Sequence, residues 1–297
     1  MASGKQGEQQ AAEVLPPEFY QTSVGQQEGW LKIGQYKVFA WSVSGLESCV
    51  VIKSEDMTLV FDMGVAVAES VRVPNVFITP NLASSDFHLS GPLASFRRHG
   101  FWKEGDLVDE LKNRFAHLDL DFFRLNTRYF VKAFPTIHRV PSQGYIVYKE
   151  EKKLKKEFQG MAGFDIAALH RQGTDIHDLI VTPEIAYTGD TVFDVFTNPH
   201  NPDVLRVKLL ITEATFLDDD LGKNMLKKAH EFGHIHLSEI ADNADVFQNV
   251  GHIVLVHFSN KYSPKYISDC IRDKLPLQLK GKVTPATVAK ATTMSSS

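Results

Sequence analysis

The chain has 297 residues, of which 43% are hydrophobic and 23% charged, and its formal net charge is −4. That balance supports an ordinary globular core and excludes whole-chain electrostatic capture of nucleic acid, so any such contact has to come from a local basic patch. Two cysteines, Cys49 and Cys270, are too few for a disulfide framework, and no apolar run is long enough for a membrane-spanning helix.

Residues 1–28 are rich in Gln, Glu, Gly and Ala and read as a flexible lead-in, and the Thr-, Ala- and Ser-rich stretch 283–297 reads as a flexible tail. One domain over 29–282 is expected between them. The lead-in has neither the apolar core of a secretory signal nor the Arg-rich pattern of a transit peptide. With the cysteine usage, this points to a reducing intracellular compartment: cytoplasm or nucleus, with the mitochondrion left open.

Runs rich in Val, Ile, Phe and Trp predict strands over 36–44, 48–53 and 57–62, an antiparallel meander, and a fourth strand over 75–79. A helix is expected near 107–115, strands over 129–134 and 144–148, and a charged connector over 149–160. Further on, helices are expected over 164–171, 224–231 and 238–247, the last capped by Ser238, and a final helix starts at Ser263 with Pro264 in its first position. Strands over 183–187, 207–212 and 252–256 alternate with these helices. Strands dominate the first half and alternate with helices in the second, which predicts two packed sheets with helices on the outer faces.

Asp62, His138, Asp190 and His257 each fall at or just past the end of an apolar strand. Strand ends on one edge of a sheet can converge, and imidazole nitrogen and carboxylate oxygen are suitable ligands for zinc and similar ions. Two such ions about 3.5–4 Å apart can activate a water and stabilise the leaving oxygen of a phosphodiester. A lone histidine at a strand end is ordinarily structural; the four together, with His234 and His236 nearby, favour a site.

Several stretches match a known family. They include Lys132-Ala-Phe-Pro-Thr-Ile-His138, Ser142-Gln-Gly-Tyr-Ile-Val-Tyr148, Leu154-Lys-Lys-Glu-Phe-Gln-Gly160, Thr182-Pro-Glu-Ile-Ala-Tyr-Thr-Gly-Asp-Thr191, Glu213-Ala-Thr-Phe-Leu-Asp-Asp219, Gly233-His-Ile-His-Leu-Ser-Glu-Ile240 and His257-Phe-Ser-Asn-Lys-Tyr262. In these the chain resembles the short-form ribonuclease Z enzymes, tRNA 3′-processing endonucleases of the metallo-β-lactamase superfamily. The resemblance is strongest over 128–262 and implies an α/β fold, an αββα sandwich of two mixed sheets with helices outside. It implies that His138 is a ligand of one metal, that Asp190 bridges two, and that His257 is a ligand of the second. It also implies that Glu213 and His236 form the pair that donates a proton to the leaving group, with His234 the other candidate, and that the protein is a homodimer.

The chain departs from the family pattern at Pro80-Asn-Leu-Ala-Ser-Ser-Asp-Phe-His88, where the family has His-x-His-x-Asp-His. No His-x-His is present. Asp86 and His88 are the two residues of this loop able to join a metal site, and Phe87 separates them. One metal site then keeps His138 and Asp190. The other keeps Asp190, His257 and one of Asp86 or His88, against the three protein ligands that zinc ordinarily takes even in catalytic sites. The expected cofactor is therefore none, or at most one zinc or similar ion. The expectation is a ribonuclease-Z-like protein that has lost catalysis and binds RNA or serves as a structural subunit of a larger assembly or ribonucleoprotein, alone or as a homo- or heterodimer. The alternative is an active endoribonuclease acting on tRNA 3′ ends. Lys152, Lys153, Lys155 and Lys156 form the candidate RNA strip.

Overall fold

Trp30–Ile33 (β1) turns back at Gly34 into Tyr36–Ser44 (β2), which pairs antiparallel with Ser48–Lys53 (β3), itself antiparallel to Thr58–Met63 (β4). Val76–Phe77 (β5) lies parallel to β4. In β2, buried Tyr36, Val38 and Ala40 alternate with more exposed Lys37 and Phe39, the period of two expected of a strand. The computed structural model describes residues 29–45, 48–63, 76–77, 123–140, 142–198, 200–218 and 224–289. The helix expected near 107–115, and the loop carrying Asp86 and His88, lie outside the described residues.

The second sheet begins with Phe123–Arg124 (β6), Tyr129–Pro135 (β7), Gln143–Leu154 (β8) and His177–Tyr187 (β9), all joined antiparallel. Leu209–Glu213 (β10) and His252–Val256 (β11) then add parallel to it, and Val283–Pro285 (β13) pairs parallel with β11 at the edge. Phe258–Ser259 (β12) leaves this sheet and pairs with β2 of the first. The parallel strands are joined by helical connections, as parallel geometry requires: Met225–Phe232 (α2) and Leu237–Asp242 (α3) between β10 and β11, and Pro264–Lys274 (α4) before β13. Gly163–Arg171 (α1) lies between β8 and β9.

The main core is sandwiched between the sheets. Val38, Val50, Ile52, Leu59 and Phe61 of the first sheet pack with Val147, Ile185, Leu209, Ile211, Val254 and Val256 of the second. Leu210, Ile253 and Leu255 point the other way, into a layer with Leu237, Ile240, Phe247 and Ile267 on the helical side. β10 and β11 are apolar on both faces because both faces are covered.

Three expectations are corrected here. Residues 149–154 are not a connector: they complete β8, a 12-residue strand whose outer half pairs with His177–Thr182 to extend an arm. Val283–Pro285, expected in a flexible tail, form β13, with Thr284, Ala286 and Ala289 buried. Short strands of this kind carry too little periodicity to be read alone. The helix expected over 238–247 begins at Leu237, and its N-cap is His236, not Ser238. The His236 side chain accepts from Ser238 N, and Glu239 reaches back to His236 N, a capping box that uses an imidazole where a hydroxyl is usual.

Truncating Ile211, fully buried between the sheets, is expected to cost about 2–5 kcal/mol as Ile211→Ala, measured by urea denaturation. Leu277→Ala, at a residue 82% exposed, should stay within about 0.5 kcal/mol.

A candidate metal site at the strand ends

β10 ends in Glu213, whose carboxylate is fully buried and heavily hydrogen-bonded. Thr191 N donates to it at 2.7 Å, Thr215 Oγ1 at 2.5 Å and Ile235 N at 3.2 Å, and His234 Nδ1 lies at 2.9 Å. A carboxylate only accepts, so the proton at this contact is on His234 Nδ1. Thr215 Oγ1 also reaches the His257 carbonyl at 3.0 Å. One buried anion thus ties together the turn carrying Asp190, the turn carrying His234 and the strand end carrying His257.

Asp190 follows β9 through Thr188 and Gly189, a glycine at φ +60. Its turn is stitched to the loop after β7 by Ile137 N to Thr191 Oγ1 (3.1 Å) and Val192 N to the Ile137 carbonyl (2.9 Å), which sets Asp190 beside His138. Gly233 sits at φ +81, and a Cβ there would come within 2.7 Å of His138 Cδ2, so the end of α2 presses directly on His138 and delivers His234 next to it. The rings of His138 and His234 are 5.4 Å apart and those of His234 and His257 are 5.5 Å apart. Ligand atoms of His138, Asp190 and His234 all lie within 4.8 Å of one another. His257 Nε2 is 3.4 Å from Asp190 Oδ2, while its Nδ1 faces Ser42 Oγ at 3.3 Å.

Three of the four strand-end residues singled out in the sequence, His138, Asp190 and His257, therefore meet, and His234 completes the group. Asp62 stands apart from it. It is the extra residue of a bulge in β4, at φ +50, and its Oδ2 accepts from Tyr187 Oη at 2.8 Å, which links the two sheets.

His236 does not pair with Glu213. It is 1% exposed, its Nδ1 caps α3, and its Nε2 donates to the Asp218 carbonyl at 3.1 Å. The partner of Glu213 is His234. The missed signal was Gly233: a glycine ending α2 turns the chain sharply inward at the very next residue.

Burial pushes His257 down to about 4, leaving it neutral near pH 7. His138 is also lowered, by burial that outweighs the pull of Asp190. Asp190 is raised by desolvation, which His234 and His138 oppose. Burial lowers His234 too, but the hydrogen bond to Glu213 and the Glu213 charge overcome it, with Asp190 adding, and the net shift is upward. Among the described residues, two imidazoles and a carboxylate come together as a donor set that zinc, iron and manganese accept.

At the rim, the Arg139 guanidinium lies 5.5 Å and the Lys228 ammonium 5.8 Å from the centre of the Phe232 ring, a half-exposed aromatic adjoining the His234 turn. The lysines on the arm are partly spent. Lys149 pairs with Glu151 and Lys155 with Asp175, whereas Lys152, Lys153 and Lys156 form no ion pair among the described residues.

Two mixed sheets packed face to face, with His and Asp side chains gathered at their strand ends, define a metallo-hydrolase-type α/β sandwich. Over 277 residues the chain is 34% identical to the tRNase Z named TRZ1 of Arabidopsis thaliana, an alignment covering 85% of this chain and 95% of the relative. It is 30% identical over 278 residues to the chloroplastic tRNase Z TRZ2 of the same plant, covering 86% of this chain and 77% of that one. The chain belongs to the ribonuclease Z (tRNase Z) family and has its metallo-β-lactamase fold. Among solved structures, human tRNase Z short form aligns at 19% identity and a TM-score of 0.46 over 84% of this chain and 95% of that one. No family model matches the chain.

In chelator-treated protein, Glu213→Gln is expected to lower the His234 pKa, read by NMR titration. The raised value means the Glu213–His234 pair adds stability that is full below pH ~6.5 and fades as pH rises through the folded-state pKa. That pH-dependent increment should vanish from the urea midpoint of the variant.

Proposed function

We propose that this chain is a ribonuclease-Z-type protein that holds tRNA-like RNA over the His138–Asp190–His234 cleft and has lost two-metal cleavage of it. The observation that carries this reading is the segment after β5, where Pro80-Asn-Leu-Ala-Ser-Ser-Asp-Phe-His88 replaces the ligand-rich motif of the resemblance. Two-metal phosphodiester hydrolysis needs ligands for both ions. Without His-x-His, one of the two sites keeps only His138 and Asp190 from the family set. Relatives named tRNase Z support RNA of the tRNA class as the ligand. So does the chemistry of the rim. Arg139 and Lys228 offer charge for phosphate, and Phe232 offers a face on which a base can stack. Lys152, Lys153 and Lys156 extend the basic surface along the arm. A body that binds without cutting suits a subunit of a ribonucleoprotein assembly.

A second reading has its own observation. The grouping of His138, Asp190 and His234 offers three ligand atoms to one ion, and a single-metal phosphodiesterase needs no more than that to activate a water.

Both readings are tested on the same substrate, a tRNA precursor with a 3′ trailer. Binding without cleavage above the Asp190→Ala background is the expected result, and cleavage that Asp190→Ala abolishes establishes the second reading. The double substitution Arg139→Glu, Lys228→Glu should weaken RNA binding by about tenfold or more. It should also flatten the dependence of log K on log salt by roughly one to two units, as expected when one or two phosphate contacts are lost. Unchanged affinity in that variant removes the rim from the RNA path.

A further inference from the structure

We propose that the outer edge of β9, His177–Thr182, pairs antiparallel with the same edge of a second copy of this chain, joining two arms into one four-stranded sheet. The resemblance implies a homodimer without placing its interface. The surface proposed here lies on the arm and does not rest on RNA binding or cleavage.

The first argument is an open edge. β10 pairs with β9 only over Ile185–Tyr187, so among the described residues His177–Thr182 have β8 on one side and no strand on the other. Lys155 N donates to the Ile176 carbonyl at 3.0 Å. The alternation of an antiparallel ladder then turns the backbone of Asp178, Ile180 and Thr182 toward β8 and that of Leu179 and Val181 outward. These two outward residues are 58% and 44% exposed. An exposed edge of apolar and β-branched residues is a template for a further strand. The edge ends where the arm joins the core, at Pro183, which has no N–H, and at Glu184, the extra residue of a bulge facing Val147 and Tyr148.

The second argument is self-complementarity. A two-fold axis in an antiparallel pair sets one residue opposite itself. Centred on Ile180, it sets Ile180 against Ile180 and Leu179 against the second copy's Val181. Asp178 then faces the second copy's Thr182, whose hydroxyl is a donor for that carboxylate. The outward N–H and C=O groups of Leu179 and Val181 are all bonded, and the four side chains form one apolar cluster on one face. The outer edge of β8 behaves differently. Centring on Glu151, Lys152 or Lys153 sets like charges face to face, and Gln159 Nε2 already covers the Leu154 carbonyl at 3.4 Å. Charge guards the β8 edge against pairing, whereas the centre of the β9 edge carries none. A strand of this length covers less than the roughly 800 Å² per partner of a standard interface, so the association depends on concentration.

The test uses the full chain, whose own cysteines, Cys49 and Cys270, are buried. Ile180 faces its counterpart in a non-hydrogen-bonded pair, with Cα atoms about 4.5 Å apart and within disulfide reach. Ile180→Cys treated with diamide is expected to give a disulfide-linked dimer on non-reducing gels. Leu179→Cys, whose two copies stand more than about 7 Å apart in this register, should not link, nor should Lys152→Cys on the β8 edge. In sedimentation velocity over about 1–100 µM, the wild type should reach a species of doubled mass. The double substitution Leu179→Lys, Val181→Lys should abolish that step with an unchanged far-UV circular dichroism spectrum. Where the chain already dimerises through another face, the step runs from dimer to tetramer and the same substitution removes it. No linkage through Ile180→Cys, faster linkage through Leu179→Cys or Lys152→Cys, or association unchanged by the double substitution overturns the proposal. Should the double variant fail to fold, the order of linkage in the three cysteine variants decides alone.

Discussion

The buried carboxylate of Glu213 is the constraint on which the rest of the site depends. A carboxylate removed from water is costly unless its lone pairs are filled, and here the donors come from three separate segments: Thr191 after β9, Thr215 after β10, and His234 with Ile235 before α3. Satisfying one anion therefore fixes the relative positions of three strand-end turns. Asp190 is next in sequence to Thr191, and the Thr215 hydroxyl reaches on to the His257 carbonyl. The cluster of imidazoles follows from where Glu213 sits and from what it requires.

A second constraint is the change of sheet at His257. β11 belongs to one sheet and β12 to the other, and the only residue between them is His257, held at φ +60. A non-glycine residue in this region is strained and persists only when its surroundings determine it. Here they do so through the Thr215 hydroxyl on its carbonyl and Ser42 beside its ring. Asp62, the other such residue, is held by Tyr187 across the gap between the sheets. Both strained positions lie where the two sheets are joined, and at His257 the contacts that join the sheets also place a residue of the site.

Much of this was legible in the sequence. Runs of β-branched and aromatic residues located β2, β3, β7, the second half of β9, β10 and β11, and the polar residues following β7, β9 and β11 singled out His138, Asp190 and His257. What escaped reading depends on three-dimensional neighbours. β12 and β13 are two and three residues long and exist only through their partners. The lysine-rich run 149–154 has the composition of a solvated face, yet it is a strand because His177–Thr182 pairs with it. His234 and His236 are two residues apart and chemically identical. The turn alone decides between them: Gly233 aims the first at Glu213, while the second is consumed in capping α3 and holding the Asp218 carbonyl.

That difference bears on what the retained residues mean in a chain whose metal-binding loop has been rewritten. Glu213 and His236 have structural duties that would preserve them with or without catalysis, since removing either leaves several buried groups unpaired. Among the described residues, His138 and Asp190 have no comparable duty. His138 accepts one long 3.4 Å contact from Val140 N, and the Asp190 side chain, 38% exposed, has the His257 ring as its nearest partner among the described residues. Two polar side chains that stabilise little by themselves, set against a histidine backed by a fixed carboxylate, are poorly explained as relics of folding. The ligand atoms of these two residues and of His234 lie within 4.8 Å of one another, beside a rim where Arg139 and Lys228 gather positive charge around Phe232, so a charge-binding role explains them better than packing does.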